Sequence, residues 1–183
     1  MKESSPKCTT ARPHHVSVCA TRREGNGNDD VVIDSLGADQ VIKLGTGTGD
    51  SVNVSTTASG TTVTTAGADA SITFGAGNNE TIKALGGGST VNFAGSGTGE
   101  VLHLSNSGGN TVNVGTGGGS ITIDGLAATD ELFLADTQAN ATVTQVSKTE
   151  VTIAFGDTGQ AIDLHFANHT AEVAIVGSLH YGA

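Results

Sequence analysis

One phrase, returning about every 20 residues, constrains this chain more than anything else in it. The strand-like cores Ser51-Val52-Asn53-Val54, Ser71-Ile72-Thr73-Phe74, Thr90-Val91-Asn92-Phe93 and Thr111-Val112-Asn113-Val114 set apolar anchors at 52, 72, 91 and 112, in steps of 20, 19 and 21. A second series falls between them at Ile42/Leu44, Val63, Ile82/Ala84, Leu102/Leu104 and Ile121/Ile123. Inside each core apolar and polar residues alternate, the period of a strand with one face buried and one solvated. Glycine-rich turns such as GTGTGD, AGADA, GAGNNE and GSGTGE separate the cores. Glycine, Asp and Asn supply the positive φ angles that tight reversals need.

Two interleaved series of short strands predict an all-β chain. Its architecture is a parallel β-roll, a two-sheet β-solenoid of about 20 residues per coil, with successive coils stacked ~4.8 Å apart. An antiparallel meander has no reason to keep that register. The repeat occupies residues 25–125. From Leu126 it gives way to the longer alternating runs LAATDELFLAD, ATVTQV, TEVTIAFG, QAIDLHF and EVAIVGS. All five read as strands, and 126–183 is expected to be a C-terminal β cap over the last open coil. Residues 1–24 share no composition with the rest and read as a non-native or flexible leader.

Charge divides at the same boundary. Residues 1–23 carry a net +4 and residues 24–183 a net −14, which together give the chain its −10. An acidic body excludes phosphate-backbone binding, so no nucleic-acid partner is expected, and it suits a chain that meets cations or works outside the cell. Cys8 and Cys19 both lie in the leader, so no disulfide can staple the body. No run approaches ~18 apolar residues, so no membrane span is expected.

The segment GNGNDDVVI (25–33) resembles the nonapeptide G-G-x-G-x-D-x-U-x of the RTX family, with Gly25, Gly27, Asp29 and Val31 on motif positions. LGADQVI matches in part through Gly37, Asp39 and Val41, and GTGTGDSV and GAGNNETI match with one extra residue. The resemblance implies a β-roll holding calcium between the turns of successive coils. It also implies a secreted, extracellular or cell-surface protein, exported by type I secretion machinery through an uncleaved signal within 126–183. The 20-residue spacing departs from the family's 18-residue pair of nonapeptides, and the aspartates thin out along the chain.

Calcium requires ~6–8 oxygen ligands, here from turns on one edge and one coil apart. Asp29, Asp50 and Asp69 are the first candidates, with Asp39 on the opposite edge next. Further along, Ser, Thr and Asn replace the acids, as hydrogen-bonded ladders that need no ion. The outward columns Ser51, Ser71, Thr90, Thr111 and Asn53, Thr73, Asn92, Asn113 form a flat polar lattice. That lattice keeps a sheet solvated. It is also the form of surface that a structural or adhesive protein of S-layer, biofilm or ice-binding type offers to glycan, ice or a second copy. No catalytic motif is present, and the chain is not expected to be an enzyme. Asp163, His165 and His169 have helical metal-site spacing, but their segment reads as strand, where i and i+4 do not gather around one ion.

Overall fold

A computed structural model of the chain describes residues 22–25, 32–35, 38–54, 59–93 and 97–182, with side chains from residue 38 onward. It is a two-sheet parallel β-solenoid. One sheet, here sheet A, takes β1 (Arg22–Gly25), β3 (Val41–Leu44), β5 (Thr62–Thr65), β7 (Thr81–Ala84), β9 (Thr98–Leu104) and β11 (Ser120–Leu126) in that spatial order. Sheet B takes β2 (Val32–Ser35), β4 (Ser51–Val54), β6 (Ser71–Phe74), β8 (Thr90–Phe93), β10 (Thr111–Val114) and β12 (Glu131–Thr137). Odd strands lie in one sheet and even strands in the other because each coil crosses the core twice.

Register follows the sequence phrase. Ser51 pairs with Ser71, Ser71 with Thr90, and Thr90 with Thr111, so the apolar anchors stack in columns. The second and fourth residues of these strands point inward. Val52, Val54, Ile72, Phe74, Val91, Phe93, Val112 and Val114 are all buried against Ile42, Val63, Ile82, Leu102 and Ile121 of the facing sheet. Phe74 and Phe93, both buried, pack with ring centroids 6.2 Å apart.

The end of the solenoid differs from the expectation of a cap made only of strands. Parallel winding does not stop at Leu126. β12 still pairs in parallel with β10, and β15 (Ala161–Phe166) pairs in parallel with β11. Between them an antiparallel hairpin, β13 (Ala141–Ser147) and β14 (Glu150–Phe155), extends sheet A beyond β15. EVAIVGS, read above as strand, instead belongs to helix α1 (His169–Gly177). Its N-cap is Asn168, whose side chain accepts from Ala171 N at 2.9 Å, and Glu172 sits in the first turn. A satisfied cap and an acid at the positive end of the helix outweigh the strand preference of Val173, Ile175 and Val176. A short β16 (His180–Gly182) then closes sheet B against β12. At the other end, Arg22–Gly25 pairs with β3, slightly ahead of the expected start of the repeat.

Candidate functional site

The chemistry of the solenoid is concentrated in its turns, and the turns obey one rule. Asp39, Gly49, Gly60, Asp69, Asn79, Gly88, Gly99 and Gly109 all have positive φ, between 54° and 78°. That left-handed conformation is open to Gly and tolerated by Asp and Asn. The residue after each is turned into the core: Asp50, Thr61, Ala70, Glu80, Ser89, Glu100 and Asn110 are buried, and Gln40 is half-buried.

These inward residues form two columns, one at each edge. On the edge leading into sheet B the column runs Asp50, Ala70, Ser89, Asn110 and Asp130, tied coil to coil by backbone bonds such as Ser71 N to Asp50 O at 2.7 Å. Its far end is satisfied from within. Asn110 donates to Asp130 Oδ1 through its backbone N (2.8 Å) and Nδ2 (3.0 Å), and Ala127 N donates to Asp130 Oδ2 at 2.8 Å. Ser89 N donates in turn to Asn110 Oδ1 at 3.1 Å. Burial still pushes the Asp130 carboxyl above its usual range, against the pull of those donors.

The edge leading into sheet A is built differently. Its column runs Gln40, Thr61, Glu80 and Glu100, with Thr81 N bonded to Thr61 O and Val101 N to Glu80 O, both at 2.9 Å. Thr61 and Glu80 are fully buried and Glu100 is 1 % exposed. No N–H or hydroxyl donor of the described residues reaches Thr61 Oγ1 or any of the four carboxyl oxygens. The polar group each carboxyl does meet is the other. Burial raises Glu80 to about 7, partly offset by the hydrogen bond from Glu100. Burial, the charge of Glu80 and the bond donated to it raise Glu100 to about 8. Gly97 makes room for the pair, since the Gly77 carbonyl and Glu100 Oε1 both crowd the space a β-carbon would take there. Thr61, Glu80 and Glu100 thus set five buried side-chain oxygens in one column along this edge.

The acids expected to hold calcium are placed otherwise. Asp29 lies outside the described residues. Asp50 is buried at the head of the sheet-B column, while Asp69, on the same edge, is exposed and level with Gly49 rather than with Asp50. Asp39 is exposed on the opposite edge. Asp39, Asp69 and Asn79 instead lay their Oδ1 atoms over Gly60, Gly88 and Gly99, one coil on, closer than any β-carbon would allow. Among the described residues no group of three or more His, Cys, Asp and Glu side chains is arranged to hold a metal. Glu80 and Glu100 were missed as candidates, although a signal was present: GNNE and GTGE end on glutamates 20 residues apart.

Two surface features complete the inventory. Across the outer face of sheet A, Asp124 joins His103 Nδ1 at 2.9 Å and His165 Nδ1 at 2.6 Å, and Glu150 lies 3.8 Å from His165 Nε2. Asp163 accepts from Thr152 Oγ1 and His169 pairs with Glu172, so Asp163, His165 and His169 do not converge. On the outer face of sheet B a shallow cleft of about 360 Å³ is bordered by Asn92, Asn113, Phe133 and His180. There Asn113 Nδ2 donates to Asn92 Oδ1 at 2.8 Å, and the Phe133 and His180 rings stack at 4.3 Å. Among the described residues no helix is long and apolar enough to cross a membrane.

No family model matches the chain, and no curated protein or solved structure matches it.

Proposed function

We propose that this chain is a calcium-responsive β-solenoid module that works outside the cell, as the folding and export end of a secreted protein. The observation that carries the reading is the column of Thr61, Glu80 and Glu100, whose five side-chain oxygens are buried and, among the described residues, meet no donor beyond the proton that Glu100 shares with Glu80. A buried polar atom without a partner costs about 1–3 kcal/mol, and more when charged. Something must therefore compensate this column once both carboxyls ionise. A hard cation satisfied by oxygen ligands is the simplest group that does so, and calcium accepts mixed carboxylate, hydroxyl and carbonyl ligands.

Glu80 and Glu100 would carry the charge of the site, with the Thr61 hydroxyl and the Gly77 carbonyl as neutral oxygens beside them. Asp50 is an acid of similar placement on the opposite edge. The two glutamates are neighbours only when coils stack, so the ion binds the folded chain and not the unfolded one, and binding free energy becomes folding free energy. An acidic, cysteine-free body gains most from this where calcium is plentiful, on the far side of the export machinery. The match of Gly25, Gly27, Asp29 and Val31 to the RTX nonapeptide supports the same type I secreted setting.

Circular dichroism and thermal melting across a calcium titration test the reading. Calcium should raise the melting temperature and EGTA should reverse the gain, with Glu80→Gln/Glu100→Gln abolishing the response. A melt indifferent to calcium and chelator overturns it. A second reading, a structural or adhesive surface, is favoured by the amide and aromatic column along the cleft of sheet B. Glycan binding or thermal hysteresis that is lost in Asn92→Ala/Asn113→Ala would support that reading.

A further inference from the structure

The last strand of sheet A carries a feature that none of the above uses. β13 (Ala141–Ser147) is seven residues long, against four in most repeat strands, and all but Ala141 are exposed. It reads ATVTQVS, with no charge and no proline, and its one irregularity is a register shift between Gln145 and Ser147. Four large hydrophobics are prominently exposed among the described residues. Two of them, Val143 (44 %) and Val146 (56 %), are on this strand. A third, Val173 (58 %), is on α1, which meets β13 through Gln145 Nε2 and Glu172 Oε1 at 3.4 Å. Proteins usually blunt a free edge with charge, proline or a covering element, and here the apolar exposure is concentrated on one.

The bonding pattern fixes which groups are free. Gly156 N donates to Asn140 O directly across the hairpin, so Asn140, Thr142 and Thr144 direct their backbone groups to β14. Val143 and Gln145 therefore turn N–H and C=O to the open edge, while the Ala141 N–H closes the preceding turn on Gln138 O. Charge at the two ends of the strand is complementary. At one end Lys148 is exposed, and its ammonium makes no ion pair with a described residue. At the other, Asn140 Nδ2 holds Asp157 Oδ2 at 2.6 Å and Asp136 Oδ1 at 3.3 Å, gathering two acids.

We infer that β13 is a self-association edge, on which a second copy of this chain adds its own β13 antiparallel about a two-fold axis at Thr144. That axis sets Thr144 against its counterpart and Val143 against Gln145. It brings Lys148 of each copy beside Asn140 of the other, next to Asp157 and Asp136. The join is isologous, so it closes as a dimer and consumes the β13 edge of both copies. Two sheets A become one continuous sheet, with the exposed valines of each copy shielded by the other.

Sedimentation velocity of the full chain over a concentration series tests the inference, and a concentration-dependent dimer is expected. Val143→Pro removes an N–H that faces the open edge and bonds no described residue, so it should keep the fold by circular dichroism and abolish the dimer. Should that variant unfold, Lys148→Glu decides: dissociation should rise about tenfold, from two weakened ion pairs. Adding Asp157→Lys to Lys148→Glu should restore the dimer. A monomer at every concentration overturns the proposal. So does a dimer indifferent to whichever variants fold, or an open series of larger species, which would mean head-to-tail pairing with β1.

Discussion

A buried carboxyl pair makes a definite statement about pH. Glu80 and Glu100 are raised to about 7 and about 8 in the folded chain, well above an ordinary glutamate, because burial disfavours both charged forms and the charge of Glu80 adds to the effect at Glu100. The folded state thus binds protons more tightly than the unfolded state. That stabilisation is complete below the ordinary glutamate range and is lost as pH rises through 7 to 8. In chelator, the melting temperature should fall as pH rises from the ordinary glutamate range to about 8 and level off above it, and Glu100→Gln should flatten the fall. The left-handed turns make a second residue-scale prediction. Gly88→Ala places a methyl on Asp69 Oδ1 at a φ of 72°. It should cost at least roughly 1–2 kcal/mol from conformation alone. Asp69→Gly should recover part of the loss, so chemical denaturation of the four chains of this double-mutant cycle should show coupling.

At the scale of elements, the turn before β12 is where polar satisfaction is densest. Asp130→Ala would strand Ala127 N and both donors of Asn110 in a buried site, and should destabilise by about 3 kcal/mol in denaturant melts. Asn110→Ala should cost less, because Asp130 keeps Ala127. The strands themselves were legible in the sequence. Anchors such as Val52, Ile72, Val91 and Val112 alternate with polar residues and recur at a fixed step, and burial acts on that pattern directly. The turn acids were not legible, because a shift of one residue moves a side chain from solvent to core. Asp69 and Asp50 differ by that single step, and half-coils of 9 to 11 residues blur it in a linear reading. The helix was missed for a related reason. Val173, Ile175 and Val176 look like a strand, and the cap at Asn168 that overrides them is one residue among many Asn and Thr.

The whole molecule is a stack in which each coil touches only its neighbours, so coils should be removable as units. Deleting residues 71–89 joins Ala70 to Thr90, keeps register, and leaves Asp69 above Gly109 and Gly60 below Gly99. The shortened chain should melt cooperatively at a lower temperature. Having lost Glu80, it should also lose part of its response to rising pH, since Glu100 remains buried. Deleting residues 51–70 removes a coil one residue longer but stacks Asn79 directly on Asp39, where a glycine had been. That chain should be markedly less stable than the first, and Asn79→Gly should narrow the gap. Equal melting temperatures for the two deletions would show that the fit between turns contributes little.

The rule that each Asp or Asn of a turn faces Gly in the next coil, as Asp39, Gly60, Asn79 and Gly99 do along one edge, also bears on how such a chain changes length over generations. Unequal crossing-over between repeats inserts or drops whole coils, and the hydrophobic layers accept any of them, since one valine column resembles the next. The turns are less permissive. A recombinant that sets Asp or Asn over Asp or Asn arrives with a steric conflict at every new junction. Lineages should therefore gain or lose coils in the combinations that return each acid or amide to a glycine. The stack carries a rule of inheritance in its corners, and its length should evolve by phrases rather than by residues.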